Sequence, residues 1–127
     1  MRHPETALQQ ACAQLLQVYE TQGRLVWWPV PNSAFVQGRT AEERAIRTKK
    51  MIRAGLMRAG VWDIGLCFPG GRLALLELKT GDNGLSRTQR DFGAAAERMG
   101  ALKGVARSVE DLQAFVSRCE MELGVRR

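Results

Sequence analysis

The sequence has few of the residues that mark several common protein classes. Its 127 residues include one histidine, His3, and three cysteines, Cys12, Cys67 and Cys119. The cysteines are widely spaced, each lies in an apolar run, and no C-x-x-C pair occurs. A structural zinc site is therefore not expected, because its soft ligands are not clustered, and buried free thiols in a reducing cytoplasm are the simplest account. No apolar run approaches the roughly twenty residues that span a bilayer, and the amino terminus lacks the apolar core of a signal peptide. A soluble, cytoplasmic protein with no membrane partner is expected. Internal repeats and low-complexity segments are also lacking.

Positive charge is in excess. Hydrophobic residues make up 45% of the chain and charged residues 25%, which suits one globular domain over residues 1–127. The formal net charge is +6, a balance that favours polyanionic partners. Much of it is local: Arg39, Arg44, Arg47, Lys49, Lys50, Arg53 and Arg58 are opposed in that span only by Glu42 and Glu43.

The pattern of apolar residues predicts a helix from Pro4 to about Thr21, with Leu8, Ala11, Cys12, Leu15, Leu16 and Tyr19 at helical spacing and Gly23 beyond its end. `RLVWWPV` reads as a short strand whose Pro29 marks an edge or a strand end, and `PNSAFVQG` as a loop. Thr40 and Glu43 form a capping-box pattern opening a helix that stops near Gly55. On its wheel Ala41, Ala45, Ile52 and Leu56 share one face, while Arg44, Arg47 and Lys50 point the other way. Next come two strand-like runs, `WDIGLCF` and `RLALLELKT`, joined by a `PGG` turn. Ser86 and Gln89 form a second capping box, for a helix from Arg87 to about Met99. `LKGVAR` is a last short strand, and Ser108 caps a final helix bearing Leu112, Phe115, Val116 and Cys119. The expected fold class is α/β, a small central mixed sheet flanked by helices.

The hairpin carries charges where apolar residues are the rule. Alternation places Glu77 and Lys79 on the face of Leu73 and Leu75, and leaves Ala74, Leu76, Leu78 and Thr80 on the other, core-ready face. Asp63 opens the partner strand, within reach of Glu77 across the pair. Two carboxylates about 4 Å apart repel by roughly 4 kcal/mol at an effective dielectric near 20. Lys79 is one candidate to offset this; a divalent cation satisfies both carboxylates better, and oxygen-only ligands suit Mg²⁺ or Mn²⁺. The bland alternative is a strand-end ion pair, since an isolated E-x-K is common by chance. Glu5 falls on the apolar stripe of the first helix, where it faces inward at a cost or else reaches solvent from the first turn.

The ordered set of Asp63, `ELK` at 77–79, and the segments `RAGLMRAGVWD` and `ELKTGDNGLSRTQ` resembles the PD-(D/E)xK nuclease superfamily, and its VRR-NUC branch in particular. The likeness runs from Glu5 to roughly Leu112. It implies a restriction-endonuclease-like core and a metal-dependent endonuclease acting on DNA. Asp63, Glu77 and the Leu78 backbone carbonyl would hold Mg²⁺ or Mn²⁺, with Glu5 a further candidate ligand. Lys79 would position the attacking water, and Gln89 would support the lysine or the water, cap Ser86, or do both. The family's usual proline before the aspartate is replaced by Trp62, which is either core or a surface for stacking an unpaired base. Trp27 and Trp28 are open in the same way.

Arg39, Arg44, Arg47, Lys50 and Arg53 then become candidate phosphate contacts, against the alternative of a solvated helix face. No base-reading module is present, so the resemblance implies structure-directed cutting, with branched or Holliday-junction-like DNA the expected substrate. It also implies a homodimer, encoded by a bacterium or a phage and acting in the host cytoplasm. The rival readings are a catalytically inactive nucleic-acid-binding module of the same fold, and an accessory interaction protein whose carboxylates are only structural.

Overall fold

The computed structural model describes residues 4–31 and 36–125. Their elements run α1 (Pro4–Thr21), β1 (Val26–Pro29), α2 (Ala41–Arg53), β2 (Ile64–Phe68), β3 (Arg72–Leu78), α3 (Arg87–Arg98), β4 (Leu102–Ala106) and α4 (Val109–Glu122). The chain is therefore α/β, with a small mixed sheet and helices around it. Of the expected loop at 31–38, residues 32–35 lie outside the described residues.

The sheet has the order β1-β2-β3-β4. The first two pairings are antiparallel, and β3 pairs with β4 in parallel. A tight turn suffices for the β2–β3 hairpin, whereas the parallel pair needs a crossover, which α3 supplies. One face carries Ile64, Leu66 and Phe68 of β2 with Ala74, Leu76 and Leu78 of β3. Upon it pack Cys12, Leu16 and Tyr19 of α1 and Leu112, Phe115, Val116 and Cys119 of α4. Burying each large member of this set contributes about 1.5–3 kcal/mol, so this layer is the main apolar source of stability. Burial also pushes the Cys12 and Cys119 thiols up to about 11, which keeps them protonated and unreactive. Cys67 is only half-buried, on the opposite face.

The edge strand β1 offers no free amide on its outer side at Trp27 or Pro29. Val30 donates its N–H to the Asp63 carbonyl, so alternation turns the amides of Trp27 and Pro29 outward. The Trp27 N–H is taken by Glu20 Oε1 at 3.1 Å, and proline has no N–H to offer. The strand therefore presents neither amide to an incoming chain. A second polar device joins the start of the sheet to the last helix. Arg24 Nη2 and Nε donate to Glu120 Oε1 and Oε2 at 2.7 and 3.2 Å, while the guanidinium lies over the Tyr19 ring at 4.2 Å.

Helix α2 departs from expectation. Thr40 caps it, accepting the Glu43 N–H at 3.0 Å. The reciprocal arm of the expected box instead reaches Arg39 N at 3.2 Å, because the Glu43 carboxylate also pairs with Arg47 one turn later, at 3.1 Å. Neither does the face of Ala41, Ala45, Ile52 and Leu56 join the core: α2 has no buried residue, and Leu56 is 75% exposed. Two alanines supply too little apolar area to dock a helix this charged. Polar ties hold it to the preceding segment, with Arg44 donating to the Gly38 carbonyl and Arg47 to that of Gln37.

Candidate active site

The hairpin ends in side-chain bonds rather than ladder bonds. The last paired residues are Ile64 and Leu76, which leaves Asp63 just before β2 and opposite Glu77. Asp63 donates its N–H to Glu77 Oε1 at 3.0 Å. Asp63 Oδ2 in turn accepts the Leu78 N–H at 2.9 Å. Each carboxylate thus replaces a carbonyl that the ladder no longer provides, and the two are fixed side by side.

Helix α3 brings the third member. Ser86 Oγ accepts the Gln89 N–H and Gln89 Oε1 accepts the Ser86 N–H, a complete capping box. That leaves the Gln89 amide nitrogen directed at Glu77, to whose Oε2 it donates at 2.6 Å. The expected capping role of Gln89 is filled, while its amide meets Glu77 where Lys79 or a water was expected. Lys79, one residue past the strand, brings Nζ within 3.6 Å of the same oxygen.

Trp62 resolves to the core. It is 3% exposed, its indole N–H donates to the Gln89 carbonyl at 2.9 Å, and its ring covers Gly93, where a Cβ would come within 2.7 Å of it. The residue before the aspartate therefore fixes the first turn of α3, and with it Gln89. Gly60 completes this joint: at φ +83° it lies so close to the Thr88 carbonyl that a side chain there would collide with backbone. Of the other tryptophans, Trp27 packs against the core, and Trp28 is 39% exposed with its ring over Gly65.

Glu77 is 3% exposed. Burial, and then the negative charge of Asp63, push its carboxyl up to about 7, against the opposing pull of the Asp63 N–H, Lys79 and Gln89. Near neutral pH this group is therefore shared between its two protonation states. That is the range in which a carboxyl can accept or return a proton.

These residues line one cavity of about 350 Å³, which holds Glu5, Asp63, Glu77, Leu78, Lys79 and Gln89 together. Glu5 lines the cavity and is exposed, the second of the two placements that its position in the first turn allowed. The helical wheel gives its angle, not the fact that the first turn of α1 meets an open cavity. Among the described residues, no three of His, Cys, Asp and Glu form a group able to hold a metal ion. The donors at hand are two carboxylates and the Leu78 carbonyl. All are hard oxygens, and the two carboxylates are fixed side by side at the mouth of the cavity, so this set fits a magnesium-like ion that keeps several waters.

The basic residues Arg39, Arg44, Arg47, Lys50 and Arg53 are exposed along and before α2, and none lines this cavity. Arg58, absent from the expected site, does line it, and its guanidinium lies over Phe92 at 5.0 Å from the ring centre. Its position five residues before Asp63 was the available signal. No family model, no curated protein and no solved structure matches the chain. The fold and the cavity define an α/β protein with a coupled carboxylate pair at the open end of a hairpin, and no helix among the described residues is long and apolar enough to cross a membrane.

Proposed function

We propose that the chain is a metal-dependent endodeoxyribonuclease built on a PD-(D/E)xK core of the VRR-NUC type. The observation that carries this reading is the convergence of three residues from three chain segments, Asp63, Lys79 and Gln89, on the buried carboxyl group of Glu77. A strand-end ion pair on a solvated rim needs neither the burial nor Gln89. Asp63, Glu77 and the Leu78 carbonyl would hold Mg²⁺ or Mn²⁺. When bound, the ion would stabilise charge on the scissile phosphate and make an attacking water more acidic.

The protein's own groups would do the rest. Lys79 is 16% exposed in its side chain and carries a positive charge at the cavity, where it can orient a water or a phosphate oxygen. Gln89, clamped by Ser86 and Trp62, holds the Glu77 carboxylate in place. Branched DNA as substrate, a 5′ phosphate product and a homodimer that cuts two strands extend the proposal. The basic face of α2 supplies phosphate contacts, with Arg44 and Arg47 already partly engaged by backbone carbonyls.

A second reading, a non-catalytic DNA-binding module, is favoured by one observation: both Glu77 oxygens already accept hydrogen bonds from the protein. Labelled linear, forked and four-way-junction DNA incubated with Mg²⁺ or Mn²⁺ separates the two. The nuclease reading expects cleavage, reduced at least about a hundredfold in Lys79→Ala and Glu77→Gln. Binding without cleavage of any substrate, equal in wild type and variants, would establish the module instead.

A further inference from the structure

Beside the carboxylate cavity lies a larger groove of about 1010 Å³. The two share Ile52, Met57, Arg58 and Val61, so one opens into the other. Its walls include Met51 and Ile52 in the last turns of α2 and the 75% exposed Leu56 just past the end of that helix. Its charged lining is Arg47, Lys50 and Arg58, and no acidic residue is among the described residues that form it. An apolar floor with a basic rim matches an amphipathic polyanion. A base-paired duplex does not use such a floor, because it offers phosphates and base edges while its apolar base faces stay stacked. An unpaired nucleotide offers both a bare base face and a phosphate.

We infer that this groove holds unpaired nucleotides of the substrate strand next to the scissile phosphate. The inference rests on the nuclease reading and deepens it. Bases lie on Met51, Ile52 and Leu56, while Lys50 and Arg58 take the phosphates. Arg58 hands the backbone from the groove to the carboxylate cavity, since it lines both and Phe92 restricts its guanidinium. The volume is at the upper end of the roughly 300–1,000 Å³ usual for small-ligand sites, room for more than a single base. Discrimination between tailed and fully paired DNA then comes from the end of α2 and the segment after it rather than from the catalytic residues.

The test measures binding by fluorescence anisotropy in EDTA, so that cleavage does not enter. The probes are a blunt DNA duplex and the same duplex bearing a few unpaired nucleotides. Wild type is expected to prefer the tailed duplex. Leu56→Gln should weaken tailed binding about tenfold and leave blunt binding within about twofold. Ile46→Gln, on α2 but outside the groove, should change neither. Because Leu56 is largely exposed, the variant should fold, which a thermal melt checks. Equal affinity of wild type for the two duplexes, alongside metal-dependent cutting, overturns the groove and leaves the nuclease standing. Binding of neither duplex and no cleavage overturns both. A lower sedimentation mass for Leu56→Gln than for wild type makes the groove a contact between two copies, and this too overturns the inference.

Discussion

Glu77→Gln should make the protein more stable at alkaline pH while removing its proposed activity. The carboxyl is pushed from an ordinary 4.5 up to about 7, so between these values the native state holds a proton that the unfolded chain has lost. Stability therefore falls as pH rises across that window. Well above it, ionised Glu77 costs roughly 3 kcal/mol relative to an unperturbed carboxyl. Glutamine imitates the protonated form and escapes this cost. It faces donors on both oxygens, from Asp63 N and Gln89 Nε2, so its own amide nitrogen meets one of them and forfeits about 1 kcal/mol. The net expectation at pH 8.5 in EDTA is a gain of about 2 kcal/mol, read as a rise of about 1 M in the urea midpoint. At pH 4.5 the gain vanishes and the variant is slightly the weaker. Magnesium well above its Kd should then raise the midpoint of wild type but not of the variant. A variant less stable than wild type at pH 8.5, or a difference that does not change with pH, would refute the account of a carboxylate destabilised by burial and by Asp63.

Three further outcomes follow from the same contacts. Trp62→Phe removes the bond to the Gln89 carbonyl and part of the ring over Gly93, and should cost about 2 kcal/mol in urea unfolding; cleavage should fall with DNA affinity unchanged, since Gln89 loses its clamp. Glu120→Ala leaves the Arg24 guanidinium without its carboxylate, at 14% side-chain exposure, and should destabilise by about 3–5 kcal/mol with little dependence on salt. Glu20→Ala uncovers the outward Trp27 N–H; stability should change by no more than about 1 kcal/mol, but concentration-dependent association should appear in light scattering.

Most of the element order was legible because it follows from local chemistry. Helix α1 ends at Thr21, just before Gly23, α3 and α4 begin after the serines that cap them, and the run of apolar residues in `IGLCF` marks a strand buried on both faces. The same rules failed for α2, where the wheel drew an apolar face that stays out of the core formed by the described residues. A wheel measures the direction of side chains around an axis and contains nothing about what stands opposite. Glu5 shows the same limit: its angle allowed an inward or a solvent-reaching side chain, and only the cavity beside its turn decided between them. The ion pair of Arg24 with Glu120 was not legible at all, because ninety-six residues separate its partners.

The sequence by itself determined the hairpin, and with it the placement of Asp63 opposite Glu77, because strand alternation and a three-residue turn leave one register. It also determined that Ser86 and Gln89 would cap α3. Only the tertiary structure decided that this cap lies against the hairpin's open end, where Gln89 can serve its helix and Glu77 at once. It likewise decided that Trp62 would be a buried clamp and that Ile52 and Leu56 would stay exposed beside the site. The reason is physical: local pattern sets the conformation of a segment, but burial, and the pKa that follows from it, belong to whatever the other segments bring alongside.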